Sequence, residues 1–392
     1  MRYLIFSDIY LPEKRLITQE LSLLCNRLNS ESNSVVLSTY HLSDKVSDIE
    51  IDKKEQKKGI IIIRAGVRNI KKYSNLPRGI FELLNPLVLI LKSFKELFKA
   101  DVVLVFSPSI FLAFFTIVFC KILKKNVILN VQDISPQNAI DIGLINNKIV
   151  ISILKKIERI NYHFANKIVV NTYESKNYLE NKRQILHKNI KVFYPWIEHE
   201  FSRVEARVTK EEFGNRFNLP LSNNDFIIVF TGTIGPYQDL NMIIDISKLL
   251  EDTDIKFLIF GSGIYTKNLK YRVNELDIKN IFFHNAIYGR DFSDLLEMSD
   301  IGLATLDTRN TTGPIPGKII TYMSNKLPVI ALVNSDHKDI KKIFSNNDCG
   351  LLLDPNSGKK ENAVLLQKLV TQKKDLQIMA DNALKFSINN FD

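Results

Sequence analysis

Residues 313–318, with the sequence GPIPGK, combine a turn with a lysine at the start of a helical pattern. Free N–H groups and the helix dipole attract anions to such an end, Pro316 fixes the backbone at the entry, and Lys318 adds a positive charge. A Walker loop is excluded because only three residues separate Gly313 from Gly317-Lys318 and Ile319 follows the lysine. The pattern fits another kind of phosphate site or a plain helix start with a surface lysine.

The segment FTGTIGPYQDL, residues 230–240, ends an apolar run in a turn of small residues, among them Gly232 and Gly235. Small residues between a strand and a helix allow backbone amides to approach a diphosphate. The G-x-x-G spacing differs from the G-x-G-x-x-G of dinucleotide-binding proteins. A tight strand–helix turn explains this segment equally well.

The segment FLIFGSGIY, residues 257–265, also ends an apolar run in glycines. Gly261 and Gly263 are candidates for leaving room beside a nucleotide base or ribose. A structural turn is the alternative explanation.

Polar residues follow two apolar runs of the first half. In VQDISPQNAIDIG, Gln132 and Asp133 come directly after such a run, and Asp133 is a candidate base or a group that orients an acceptor hydroxyl. In SDIYLPE, the corresponding candidates are Ser7, Asp8 and Tyr10. Helix caps and ordinary loop contacts are the structural alternatives.

Motifs for other kinds of chemistry are missing from the sequence. The six histidines form no H-E-x-x-H pattern, and there is no G-x-S-x-G elbow and no D-x-D pair suited to a metal. We therefore expect neither a metal site nor a hydrolase triad. Three widely separated cysteines predict a reducing compartment, without a disulfide framework.

Continuous apolar runs alternate with helical patterns along most of the chain, which predicts parallel sheets covered on both faces. Helical patterns include 79–99, 109–124 and 147–164. The predicted strands are 2–7, 34–39, 59–64, 101–106, 126–131, 167–171, 190–194, 226–232, 255–261, 280–284, 301–306, 327–332 and 350–354.

A polar, charged stretch interrupts this alternation at residues 196–225 and is predicted to be a linker. It separates a first domain, residues 1–195, from a second, residues 226–392. We predict two doubly wound, Rossmann-like α/β domains facing across a cleft. Because ligands bind beyond the carboxyl ends of such strands, this cleft is the expected active site.

The net charge of +10 lies in the first half of the chain. Residues 1–197 hold 30 lysines and arginines against 17 acidic residues, whereas the remainder holds 23 against 26. The helical pattern 79–99, with Lys92, Lys95 and Lys99 beside apolar residues, fits a basic amphipathic helix at a membrane surface or an ordinary core-facing helix. The longest apolar run, 110–120, is shorter than the ~20 residues of a membrane span. We expect a cytoplasmic protein that binds the inner face of the membrane and no nucleic acid.

Taken in order, these segments resemble glycosyltransferase family 4, whose fold (GT-B) consists of two Rossmann-like domains. The segments FTGTIGPYQDL, FLIFGSG, IFFHNAIYGRDFSDLLEMSDIGLATL and IPGKIITYMSNKLPVIA are similar to its sugar-nucleotide half. VQDISPQNAIDIG resembles the branch that makes O-antigen, capsule and colanic acid, including transferases of the fucosamine type.

The resemblance implies transfer of a sugar from a nucleotide diphosphate sugar to a polyprenyl-pyrophosphate-linked saccharide, with no cofactor or metal and with retention. N-acetyl-fucosamine or a related sugar is the implied donor. The second domain would hold the donor, with Lys318 neutralising the diphosphate. The other implied donor contacts are Gly232, Thr233, Gly235, Gln238, Gly261, Gly263, Gly313, Pro316, Gly317 and Thr321.

The chain also departs from the family pattern. Two glutamates of many members, which contact the donor sugar and the ribose, fall here on Gly313 and Thr321, of which only Thr321 retains a hydrogen-bonding side chain. Gln132 stands where a histidine is frequent, and Gly317 replaces a serine. Two alternatives remain open: a sugar-nucleotide epimerase of the same fold, and a non-catalytic partner subunit of a transferase.

Overall fold

A computed structural model describes the chain except residues 12–15, 32, 41–52, 58, 66–74, 108, 187–188, 198–207, 335 and 392. The chain divides into two compact units, Met1–Pro195 and Trp196–Asp392. Each unit contains one sheet covered by helices. The described helices include none with the length and apolar character needed to cross a bilayer.

The first unit is built on an eight-stranded sheet with the order β3-β4-β2-β1-β5-β6-β7-β8. Its central strand β1 pairs in parallel with β2 and β5, so that Leu4 lies opposite both Val36 and Val103. The strands are β1 (Arg2–Ser7), β2 (Ser34–Tyr40), β3 (Lys53–Lys57), β4 (Ile60–Ala65), β5 (Val102–Ser107), β6 (Asn126–Val131), β7 (Lys167–Val170) and β8 (Ile190–Val192).

Among the described residues of this unit, seven helices connect the strands and cover a core of mostly aliphatic side chains. They are α1 (Leu16–Ser30), α2 (Asn75–Lys92), α3 (Phe94–Lys99), α4 (Ile110–Ile122), α5 (Gln137–Asp141), α6 (Lys148–Phe164) and α7 (Tyr173–Asn181). The helical pattern 79–99 forms two helices rather than one, with a break at the buried Ser93. The hydroxyl of Ser93 lies 2.6 Å from that of Ser38 on β2.

Strand β3 was not predicted from the sequence. Its residues, KKEQK, are polar, and it pairs antiparallel with β4 at the edge of an otherwise parallel sheet. An edge strand has one neighbour and no need for an apolar sequence, so hydrophobic periodicity does not detect it.

The second unit has a six-stranded parallel sheet with the order β11-β10-β9-β12-β13-β14. The strands are β9 (Phe226–Thr233), β10 (Ile255–Ser262), β11 (Ile281–His284), β12 (Ile301–Thr305), β13 (Val329–Leu332) and β14 (Gly350–Leu353). The helices are α8 (Lys210–Phe217), α9 (Asn241–Leu249), α10 (Thr266–Glu275), α11 (Arg290–Met298), α12 (Gly317–Ser324), α13 (Lys338–Asn347), α14 (Gly358–Thr371) and α15 (Lys373–Phe391).

The linker prediction for residues 196–225 needs a correction in its second part; residues 198–207 lie outside the described residues. Helix α8 begins with a capping box between Thr209 and Glu212. Its Phe213 is fully buried, with its ring centroid 6.0 Å from that of Phe260 on β10. The helix therefore belongs to the second unit. It escaped detection because it is short, mostly polar, and contains Gly214.

A buried ion pair stabilises the first unit beneath α5. Arg183 Nε lies 2.9 Å from Glu158 Oε2 on α6, and the two side chains are 17% and 1% exposed. Arg183 Nη2 donates to Gln137 Oε1 at 3.2 Å, and its guanidinium lies 5.0 Å from the ring centroid of Tyr178. Burial raises the pKa of Glu158, while the bond and charge of Arg183 oppose this rise. Removal of the arginine would leave a buried carboxyl without its counter-charge.

We expect Arg183→Gln to lower the free energy of unfolding by about 3 kcal/mol, because loss of one partner of a buried pair is costly. Lys176→Gln is the matched control, since Lys176 and Glu180 form a more exposed pair 3.8 Å apart and should contribute less than about 1 kcal/mol. Urea denaturation of both variants measures the difference. Equal effects would contradict the assignment.

Candidate functional site

The strand order of the second unit reverses between β9 and β12, and such a switch point is where open parallel sheets bind ligands. Pairing between these two strands covers only Ile228 opposite Ile301 and Val229 opposite Gly302. Strand β9 continues to Thr233, still paired with β10. The carboxyl ends of β9 and β12 therefore separate and leave a gap between them.

Tyr322 of α12 fills the inner part of this gap. Its hydroxyl accepts a hydrogen bond from the backbone N–H of Thr231 at 2.8 Å and lies 3.1 Å from the Thr231 hydroxyl. Its ring lies over Gly302, where a Cβ atom would come within 2.3 Å of Cδ2. Because Tyr322 is fully buried, it fixes α12 against β9.

Lys318 lies one helical turn before Tyr322, on the same face of α12. Its Nζ donates to Gln238 Oε1 at 2.5 Å and lies 3.9 Å from the ring centroid of Phe230. Gln238 Oε1 also accepts from the Thr305 hydroxyl at the end of β12, at 3.3 Å. The lysine is thus held over the separated ends of β9 and β12.

The surroundings of Lys318 destabilise the protonated form of its amine. Loss of hydration lowers the pKa of its amine to about 7. The amine is held by a neutral amide and an aromatic ring, which stabilise an ammonium less than a carboxylate would. An anion that entered this gap would restore the stabilisation of the ammonium.

The glycines predicted to contact the donor have different structural roles. Gly232 has φ +120°, which side-chain-bearing residues rarely adopt, and it is exposed beside Lys318. A Cβ at Gly261 would lie 1.9 Å from the carbonyl oxygen of Gly232, and one at Gly263 would lie 2.0 Å from that of Ile234. Both of these glycines are therefore required for the close approach of residues 232–235, which we call the β9 loop. Gly235 is buried without such a contact.

The remaining donor candidates lie close to the start of α12. Gly313 has φ +60° and is buried, and Pro316 directly precedes the helix. The hydroxyl of Thr321 donates to the carbonyl oxygen of Gly317 at 3.2 Å, so it is engaged within its own helix. Thr233 is exposed at the end of β9. The structure thus brings the β9 loop, the end of β12 and the start of α12 together around Lys318.

In the first unit, Gln132 is the centre of a hydrogen-bond network. Its Nε2 donates to Glu20 Oε2 and to Asn130 Oδ1, both at 3.1 Å, and its Oε1 accepts from Asn171 Nδ2 at 2.6 Å. Burial raises the pKa of Glu20 to about 8. Glu20 was missed because an acidic residue on an amphipathic helix is expected on its solvent face. The amide of Gln132 links α1, β6 and the end of β7.

The other candidates for contact with the acceptor differ in their exposure to solvent. Asp133 is exposed, and its Oδ1 accepts from Asn138 Nδ2 at 3.3 Å. Ser7 is buried, with its hydroxyl donating to the carbonyl oxygen of Ile9 at 2.7 Å, and Tyr10 is only 3% exposed. Asp8 is half-buried. Ser7 and Tyr10 therefore form part of the interior of the unit. Within the described residues, no three His, Cys, Asp or Glu side chains cluster as ligands for a metal ion.

Comparison with known proteins agrees with this architecture. Residues 212–386 match the family described as glycosyl transferases group 1. The colanic acid biosynthesis glycosyl transferase WcaI of Escherichia coli K12, a putative assignment by its own description, is 22% identical over 229 residues. That alignment covers 58% of this chain and 56% of WcaI, just over half of the relative's length.

Solved structures with the same fold cover almost the whole chain. Anabaena HepE in complex with UDP-glucose has a TM-score of 0.68 at 14% identity, covering 100% of this chain and 96% of HepE. WaaG, a glycosyltransferase involved in lipopolysaccharide biosynthesis, has a TM-score of 0.69 at 13% identity, covering 98% of this chain and 95% of WaaG.

The two α/β units and these structural matches show the GT-B fold, which confirms the predicted fold class. The match to glycosyl transferases group 1 covers residues 212–386, which lie in the second unit. This match agrees with the family resemblance that the motifs of the second half carry.

We expect Tyr322→Phe to lower the free energy of unfolding by about 1–3 kcal/mol, because a buried N–H of Thr231 would lose its acceptor. Tyr271→Phe, at a position that is 70% exposed, is the control. Denaturant titration of both variants measures the effect. Unfolding of Tyr322→Phe at the wild-type midpoint would show that the hydroxyl does not anchor α12.

Proposed function

We propose that the chain transfers a sugar from a nucleotide diphosphate sugar to a lipid-linked saccharide during synthesis of a cell-surface polysaccharide. The family match to residues 212–386 supports the reaction class. The descriptions of WcaI and WaaG, which concern colanic acid and lipopolysaccharide, support the kind of product. The resemblance of VQDISPQNAIDIG to transferases of the fucosamine type supports a donor of the N-acetyl-fucosamine type or a related sugar.

The observation that carries the donor site is the position of Lys318 at the β9–β12 switch point. Lys318 lies in the first turn of α12, and its Cε would be 3.9 Å from a Cβ atom at the exposed Gly232. A diphosphate in this position would receive hydrogen bonds from the backbone and a charge from Lys318. HepE was solved in complex with UDP and UDP-glucose, which supports a nucleotide sugar as the ligand class.

The proposed mechanism assigns leaving-group stabilisation to Lys318 and not to a metal ion. As the bond between the sugar and the diphosphate breaks, negative charge develops on the phosphate oxygen, and a nearby ammonium stabilises it. Gln238 holds the amine in place. Asp133 is the proposed group that orients or deprotonates the acceptor hydroxyl. Transfer with retention is the family expectation that this proposal adopts.

We expect the affinity for a nucleotide sugar to fall as the pH rises above about 7. The free amine of Lys318 loses its proton above this pH, whereas a bound diphosphate favours the ammonium and raises its pKa. Binding then takes up a proton, and affinity declines until the pH reaches the pKa of the bound state. Titration calorimetry with UDP-glucose and GDP-fucose between about pH 6 and pH 9 measures this slope.

Lys318→Met should abolish the pH dependence and lower kcat by about 10²-fold to 10³-fold. Lys341→Met, at an exposed position of α13, should preserve both. An unchanged kcat in Lys318→Met would remove the lysine from the mechanism. Donor binding by the wild type without turnover on membranes that contain lipid-linked acceptors would instead favour a non-catalytic partner subunit.

We also propose that the first unit binds the cytoplasmic face of the inner membrane through an aromatic–lysine surface. It comprises exposed apolar side chains near the ends of α2, α3, α4 and α6. Lys121 Nζ lies 5.6 Å from the ring centroid of Phe164, and Lys125 Nζ lies 5.7 Å from that of Phe98. The apolar members and their exposures are Leu91 63%, Phe94 41%, Phe98 65%, Ile122 70% and Phe164 41%.

This combination suits an interface with anionic lipid. The apolar side chains can enter the headgroup region while each nearby lysine gains about 1 kcal/mol from the surface potential. A location at the membrane also places the enzyme where a polyprenyl-linked acceptor resides.

We expect Phe98→Ser combined with Ile122→Ser to weaken binding to phosphatidylglycerol-containing vesicles by about tenfold, because both side chains would lose contact with lipid. Tyr271→Ser, which removes an exposed aromatic ring from the second unit, should have no effect. Vesicle sedimentation at low and high salt measures binding. Absence of the wild-type protein from the vesicle pellet would defeat the membrane proposal.

A further inference from the structure

His337 connects two elements of the second unit through the two nitrogens of its ring. Its Nδ1 accepts a hydrogen bond from the backbone N–H of Ile340 at 3.4 Å and thereby caps α13. Its Nε2 lies 3.0 Å from the carbonyl oxygen of Pro314, in the loop that leads into α12. The residue is 7% exposed, so both contacts are made in the interior.

The two bonds determine which ring nitrogen carries the proton. A nitrogen that accepts has no hydrogen, so Nδ1 is bare and Nε2 carries the proton that it donates to Pro314. A neutral imidazole therefore satisfies both partners. Since the ring is rigid, it sets the distance between the start of α13 and the carbonyl of Pro314.

The loop held by His337 precedes the candidate diphosphate site. Pro314 lies between Gly313 and Pro316, four residues before Lys318. The first part of the loop is attached elsewhere: the N–H of Asp307 donates to the carbonyl oxygen of Tyr237 at 3.0 Å, and Asn334 Nδ2 donates to that of Thr308 at 3.4 Å. The bond from His337 anchors the second part, directly before the amides of α12.

The residue type supports a role beyond the helix cap. Serine, threonine, aspartate and asparagine are the usual caps, and each of them satisfies helix N–H groups with a short side chain. A histidine supplies the same acceptor through Nδ1 and in addition a donor that reaches further. At position 337 this second nitrogen is the atom that contacts Pro314, in the loop that leads into α12.

We propose that His337 is a positioning residue for the nucleotide diphosphate: its bond to Pro314 holds residues 313–316 so that the start of α12 and Lys318 meet the phosphates. The inference rests on the proposed function of the β9–β12 site. It adds His337, the N-terminal cap of α13, to a site otherwise formed by the β9 loop, β12 and α12.

Two substitutions of His337 separate its hydrogen bond to the Ile340 N–H, which caps α13, from its hydrogen bond to Pro314. In His337→Asn the side-chain amide occupies the place of Nδ1, so the cap is kept, but the side chain is too short to reach Pro314. In His337→Gln the terminal amide reaches the place of Nε2, so the bond to Pro314 is kept while the cap is lost. The pair therefore tests the two bonds one at a time.

We expect His337→Asn to raise the Kd for the nucleoside diphosphate by about fivefold to tenfold, as for loss of one hydrogen bond. Its Tm should also fall by a few degrees, because the Pro314 carbonyl loses its donor. We expect His337→Gln to keep the wild-type Kd while its Tm falls by about 2–4 °C. Differential scanning fluorimetry gives Tm, and calorimetry with UDP, GDP, ADP and dTDP gives Kd.

Hydrogen exchange of residues 313–317 without nucleotide provides a second readout. It should become faster in His337→Asn and stay unchanged in His337→Gln. Equal Kd and equal exchange in His337→Asn and the wild type would overturn the positioning role. A second outcome is that hydrogen exchange is faster in His337→Asn, as expected, but that none of the four nucleotides binds the wild type. The His337–Pro314 bond would then be a structural contact only, and the positioning role would fail together with the proposed donor site.

Discussion

The hydrogen bond from the Thr231 N–H to the Tyr322 hydroxyl is the interaction on which the candidate site depends. It forms where β9 has stopped pairing with β12, so a side chain from α12 takes the place of a neighbouring strand. Gly302 makes this possible because any larger residue would collide with the ring. One tyrosine thus keeps the sheet intact and at the same time fixes the helix that carries Lys318.

The electrostatics of the site follow from this packing. A lysine that packs against Phe230 and contacts a neutral amide has lost hydration without gaining a counter-ion. Its ammonium is therefore ready to be stabilised by an incoming anion. A carboxylate in the same place would raise the pKa of the lysine but would also repel a diphosphate. Burial of the ammonium without a counter-ion costs stability, and an anion bound beside it would offset that cost.

The sequence predicted the regular parts of the fold because buried parallel strands require continuous apolar runs. Each predicted strand is present, whereas the polar edge strand β3 and the short polar helix α8 have no such pattern. The candidate site was predictable in outline, since Gly232, Gln238 and Lys318 follow recognisable strands or begin a helix. The roles of Tyr322, His337 and Glu20 were not predictable, because each depends on contacts between residues far apart in the chain. A buried tyrosine or glutamate has the same appearance in a sequence as an exposed one.

The contacts of helix α8 place the start of the second folded unit before residue 226. Arg216 Nη1 lies 2.7 Å from Asp294 on α11, and Lys210 Nζ lies 2.6 Å from Asp300, directly before β12. A fragment cut at residue 226, where the apolar pattern restarts, would uncover the ring of Phe260 and leave the buried carboxylate of Asp294 without its arginine. Such a fragment would expose an aromatic surface that favours aggregation, and it would contain an unpaired carboxylate. A fragment cut just before Thr209 would keep helix α8, which covers Phe260 and supplies the cations paired with Asp294 and Asp300.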